Sequence, residues 1–345
     1  MRRINYIISA AVALLLSLWG SQQAHAQASA SCAATGAIEL ICGDSAAEDL
    51  IALPGTDWVV ASAYNGSGGL RLIDARTRHV TRFAFGLNIA EKLDRRSFAH
   101  CPGPVPDADK PKFITHGLAL GPKLRGVQTV YAVHHGSRES IEAFALDTRG
   151  RTPSLTWTGC IIAPDQVGLN SIASLPNGTI VGSNFMSRGG DWSAQFKRVE
   201  AGELNGELWE WTNSEGWKKI PDSEGSGLNG LVASKDGRTL YAASWGSQSL
   251  TRRERNGRNQ RTVPLGFRVD NLRWRKDGQL IAAGQIDGGS KVVTIDPRSM
   301  KVTELVQLVN SSGFHDASGA IQLGDEIWIG SYGSPNIAIV KAGGR

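Results

Sequence analysis

The sequence predicts an all-β chain folded as a six-bladed β-propeller with a metal site in its central channel. Three observations carry that prediction. The 345 residues include 41 glycines, which favours many tight turns over long helices. A unit of two short apolar runs around a turn recurs six times, about every 40 to 70 residues, near the spacing of propeller blades. The long helical stretches that an α/β fold needs between strands are missing. With 20% charged residues the chain is too polar for a polytopic membrane protein and too apolar for a disordered one.

Residues 1–26 read as a secretory signal peptide. Arg2 and Arg3 form its basic start, Ile7 to Trp19 its apolar centre, and Ala24-His25-Ala26 a small-x-small cleavage site. The mature chain, 27–345, then carries a formal charge of +3, against +5 for the full sequence. Export to the periplasm or beyond is expected, and membrane contact only if the leader is retained. In an oxidising compartment four cysteines suggest two disulfides. Proximity favours Cys32 with Cys42 and Cys101 with Cys160.

The six repeats lie in one domain over 27–345. They start at Glu48-Asp49, His116, Asn170, Asn229, Asp270-Asn271 and Ser318. Their turns include Pro54-Gly55, Asn177-Gly178, Asp236-Gly237, Asp277-Gly278 and Gly324-Asp325, and Asn-Gly or Asp-Gly between apolar runs is the strongest short hairpin signal. Two outer strands complete each blade, and Ala37 to Ile41 is placed to close the ring against the last one. The basic run Arg252 to Arg261 has Asn256-Gly257 at its middle, so it reads as a hairpin tip rather than a nucleic-acid surface.

In a propeller the innermost strands border the channel, so the polar residue that opens each repeat faces it. A ring of carboxylates and carboxamides is what a hard cation takes. Ca²⁺ binds oxygens of Asp, Glu, Asn, backbone carbonyls and water. Glu48 and Asp270 would bring negative charge, and Asn170, Asn229 and Asn271 neutral oxygens. His116 opens the second repeat and His134-His135 ends the strand that returns beside it, so a histidine pair can form, one imidazole taking a proton from water and the other orienting it. Phe185 to Lys197 is an insertion placed to cover the channel mouth, with Phe314-His315-Asp316 on the opposite wall. Trp209, Trp211 and Trp217 read as inter-blade core.

Six short motifs recur in order: Glu48-Asp49-Leu50, Thr115-His116-Gly117-Leu118, Val133-His134-His135, Leu169-Asn170-Ser171-Ile172, Leu228-Asn229-Gly230 and Val269-Asp270-Asn271-Leu272. In this the chain resembles the paraoxonase/arylesterase family of calcium-dependent lactonases, within the gluconolactonase-like and strictosidine-synthase-like propellers. The resemblance implies a catalytic calcium on Glu48, Asn170, Asn229, Asp270 and Asn271, and a dyad of His116 with His135. It implies hydrolysis of small lactones or carboxylic and aryl esters, a metal-polarised carbonyl being attacked by histidine-activated water. It also implies a second, structural calcium on Asp49 and the carbonyl of Leu118, weakened because Ser171 stands where the family has an Asp. A third family histidine corresponds to Gln285. A sugar-lactonase of the gluconolactonase type and a non-catalytic binding propeller are the alternatives.

Overall fold

The computed structural model describes Cys32, residues 38–66 and residues 68–343. The expected leader and its cleavage site lie outside the described residues. Six sheets stand around one axis, each starting from an inner strand that carries the channel residue of its repeat near its start or, in the first blade, directly follows it. The inner strands are Leu50–Ala52, Ile114–Leu124, Val167–Ser174, Leu228–Ala233, Arg268–Trp274 and Ala317–Leu323, in blades 1 to 6. Each touches the inner strand of the next blade, and the last touches the first. The molecule is thus the six-bladed propeller that the repeat spacing predicts.

Blade 6 shows how the ring closes. Its three C-terminal strands take a fourth from the N-terminal side, Glu39–Ile41, antiparallel to Ile337–Lys341, with Leu40 opposite Ala338. Joining the two ends in one sheet ties the ring shut with backbone hydrogen bonds. Blade 2 carries an unpredicted fifth strand, Ile89–Glu91, parallel to the outer strand Ser154–Ile162. The stretch from residue 84 to 113 runs across that outer edge and buries Phe98, Val105 and Phe113.

Apolar side chains alternate into the spaces between blades. Trp157, Trp328, Phe83, Phe144 and Phe267 are among the largest fully buried side chains. Trp209, Trp211 and Trp217 pack against this core from the outer strands of blade 3 and stay partly exposed. Gly178 and Gly237 take φ of 84° and 69° at the tips of two predicted hairpins, a region that glycine enters without strain. Asn256-Gly257 is likewise a hairpin tip, between Ser249–Glu254 and Arg261–Pro264.

Cys32 pairs with Cys42 and Cys101 with Cys160, as proximity suggested, and the two bridges point to an oxidising environment. No helix among the described residues is long and apolar enough to cross a membrane. The Cys101–Cys160 bridge spans 59 residues and ties the edge-covering segment to its sheet. Replacing both cysteines by serine is expected to cost about 2–4 kcal/mol in urea unfolding, because the unfolded chain regains the loop entropy.

Candidate active site

The polar residues that open the repeats converge at one end of the channel. Glu48, Asn170, Asn229 and Asp270 are all buried, and with His116 they floor a cavity of about 650 Å³. Asn271 lies behind the floor, its amide donating to Glu48 Oε1 at 2.5 Å. The Ser318 hydroxyl donates to the Glu48 carbonyl at 2.6 Å, which pins Glu48 from blade 6.

Small residues let these strands come so close. A Cβ on Gly117 would meet the Asn170 carbonyl oxygen at 2.2 Å, and one on Gly230 would meet the Asp270 carbonyl oxygen at 2.3 Å. The glycine after a channel residue is therefore the seat for the channel residue of the next blade. Gly230→Ala is expected to destabilise the protein by about 1–3 kcal/mol in denaturant unfolding, since the backbone of Asp270 must move to admit a methyl group.

Three buried side-chain oxygens on this floor, Glu48 Oε2, Asn170 Oδ1 and Asn229 Oδ1, and Asn271 Oδ1 behind it have no hydrogen-bond partner. Buried polar atoms are seldom left so. Burial pushes the Glu48 carboxyl up to about 7. Burial, and then the neighbouring Glu48, pushes Asp270 well above its ordinary value. Partnerless oxygens and two carboxylates whose charge is opposed by burial make a donor set suited to a hard cation. Among the described residues no three His, Cys, Asp or Glu side chains gather as a metal-binding group. The donors here are mainly carboxamides.

Gln285 supports this floor rather than reacting on it. Its amide donates to Asp270 Oδ2 at 2.9 Å and to the Ala317 carbonyl at 2.6 Å, while its oxygen accepts from Trp245 Nε1 at 2.7 Å. Gln285 thus ties Asp270 to the Ala317 backbone and to Trp245.

The structure brings His116 and His135 together, Nδ1 to Nε2 at 2.8 Å. His135 Nδ1 lies 2.8 Å from Glu139 Oε2. Glu139 also accepts the Leu169 N–H at 2.8 Å and a hydrogen bond from Arg188. A carboxylate in this position fixes the tautomers in order. Glu139 accepts from His135 Nδ1–H, His135 Nε2 accepts from His116 Nδ1–H, and His116 Nε2 keeps its lone pair. That nitrogen lies 3.4 Å from Glu48 Oε2, at the floor of the cavity. Burial holds both rings below the usual histidine range, His116 at about 4. Tyr64 packs on His116, ring centres 4.5 Å apart. Sequence reasoning missed Glu139. The available signal was a carboxylate in the turn four residues after His135.

His134 points the other way. It stacks on Phe113 with centres 4.2 Å apart and bonds the Ile114 carbonyl through Nδ1. Burial lowers it from an ordinary value of 6.5 to about 4. A histidine held neutral by the fold contributes stability that is complete above its unfolded pKa and is lost as pH falls below it. Across the fall from pH 6.5 to 4 the loss is expected to be on the order of 3 kcal/mol. Urea midpoints at pH 7.5 and 5 should converge in His134→Phe relative to the unaltered chain.

The insertion at the mouth contains a helix, Trp192–Glu200, whose start is capped by Asp191 accepting from Ser193 and Ala194. With Phe185, Met186 and Trp245, its Trp192 and Phe196 form an aromatic wall of the cavity. Trp192 and Phe196 stack at 5.0 Å, and Arg268 lies over Trp245 at 4.4 Å. The opposite side is lined by Tyr332. The expectation that Phe314-His315-Asp316 lines it is corrected, because His315 turns its Nδ1 onto Asp316 at 2.8 Å and neither joins the cavity wall.

Asp49 and Leu118, the pair expected to hold a second calcium, do not fit a second cation as folded. Asp49 Oδ2 and the Leu118 carbonyl both accept from the guanidinium of Arg273. The Ser171 hydroxyl accepts the Leu231 N–H at 3.1 Å and is committed to the next blade.

No protein-family model matches the sequence, and no match is found among curated proteins. Solved structures do match the fold. A luciferin-regenerating enzyme is 14% identical with a TM-score of 0.58, over 89% of this chain and 95% of its own. A gluconolactonase-like protein is 14% identical with a TM-score of 0.55, over 90% and 93%. Virginiamycin B lyase from Staphylococcus aureus is 10% identical with a TM-score of 0.52, over 88% and 98%. The likeness is one of fold, shared by proteins named for different reactions.

Proposed function

We propose that this chain is a calcium-dependent hydrolase of lactones and carboxylic esters, aryl esters included, working in the periplasm or outside the cell. The observation that carries the reading is the Glu139–His135–His116 relay ending beside partnerless oxygens of Glu48, Asn170 and Asn229 on the floor of an aromatic-walled cavity. Glu48, Asn170, Asn229, Asp270 and Asn271 are the residues that would hold the ion. A calcium bound there supplies a Lewis-acid face that polarises a substrate carbonyl.

The protein's own part is proton transfer and positioning. His116 Nε2 takes a proton from water as the water oxygen bonds to the carbonyl carbon. The imidazolium so formed is stabilised through His135 by Glu139, which Arg188 and the Leu169 N–H hold in place. When the C–O bond of the ester or lactone breaks, His116 returns the proton to the departing alkoxide oxygen. The wall of Phe185, Trp192, Phe196 and Trp245 shields the reacting carbonyl from bulk water and favours apolar acyl or ring groups. A polyhydroxylated sugar lactone would leave its hydroxyls unpaired against that wall.

The test is hydrolysis of an aliphatic lactone, an aromatic lactone, an acyl-homoserine lactone and phenyl acetate, each with calcium and with excess chelator. Turnover abolished by chelator and restored by calcium supports the reading. No turnover from a protein that retains no metal ends it.

A further inference from the structure

We infer that Arg273 is a resident cation, a guanidinium clamp across the propeller axis that occupies the position of a second metal and limits the channel to one divalent ion. Arg273 belongs to the inner strand of blade 5, and its side chain reaches blades 1 and 2 on the far side of the ring. Nε donates to the Leu50 carbonyl at 3.0 Å, Nη1 to the Leu272 carbonyl at 2.9 Å, and Nη2 to the Leu118 carbonyl at 3.0 Å and to Asp49 Oδ2. Asp49 is fully buried and takes two further bonds, from the Leu118 N–H at 2.7 Å and the Leu50 N–H at 2.8 Å. Carbonyls from three blades and one carboxylate thus surround the planar guanidinium.

A second ion held by Asp49 and the Leu118 carbonyl would have to displace the guanidinium from which both accept. The clamp also sets the floor above it, because Asp49 adjoins Glu48 and Leu118 lies two residues from His116. Arg273 is therefore a positioning residue. The ion count rests on the calcium reading above, whereas the clamp does not.

The test combines calcium titration followed by native mass spectrometry with thermal unfolding of Arg273→Met, Asp49→Asn and the double variant, in chelator. The unaltered chain is expected to bind no more than one calcium. One ion supports both readings, none sinks the calcium reading while leaving the clamp intact, and two overturn the clamp. Each single variant is expected to melt about 10 °C lower, as loss of one member of a buried pair leaves the other charged and unpartnered. The double variant should melt no lower than the worse single one. Strictly additive losses overturn the pairing. If Arg273→Met alone yields no folded protein, recovery of folded protein in the double variant supports the clamp, and failure to recover it overturns it.

Discussion

Glu48→Gln is expected to lower calcium affinity at least 100-fold, measured by isothermal titration, and to abolish chelator-sensitive hydrolysis with it. The amide has nearly the same shape as the carboxyl, so packing against Asn271 and Ser318 survives. What disappears is one of two carboxylates on the floor, and with it half of the negative charge that attracts a hard cation there. The same change is expected to leave the metal-free protein as stable as before, or more so, because a buried charge without a full set of partners has been removed. Lower affinity together with an undiminished urea midpoint separates a ligand from a structural residue. A variant that binds calcium as well as the unaltered chain would remove Glu48 from the ligand set.

His116→Gln is expected to reduce kcat by about 10²- to 10⁴-fold, the range for a general base, with calcium content and thermal midpoint little changed. Gln can occupy the space beside Tyr64 but cannot accept and return the proton. Glu139→Gln tests the rest of the relay. It removes the carboxylate that orients His135 and stabilises the imidazolium, so a smaller loss in kcat with KM nearly constant is expected. If His116→Gln keeps turnover within a few fold of the unaltered chain, His116 is not the base, and the relay has a structural role.

Much of this was legible in the residues. Six hairpin units, three of them with Asn-Gly or Asp-Gly turns, determined six blades, because such turns admit positive φ and direct each strand back along the last. The channel ring was legible for a related reason. A repeat places equivalent positions at equivalent sites, so Glu48, His116, Asn170, Asn229 and Asp270 had to meet wherever their strands met. The pairing of the cysteines followed from proximity along the chain.

The tertiary structure decided the rest. Glu139 stands in a turn outside the repeat register, and only the return of its strand beside His135 makes it part of the relay. That Asp49 and Leu118 meet a guanidinium rather than a second ion depends on Arg273, 224 residues from Asp49 in the chain. Local sequence determines turns and alternation because those depend on neighbours. A clamp across the axis depends on which strands the closed ring sets opposite each other, and no local pattern encodes that.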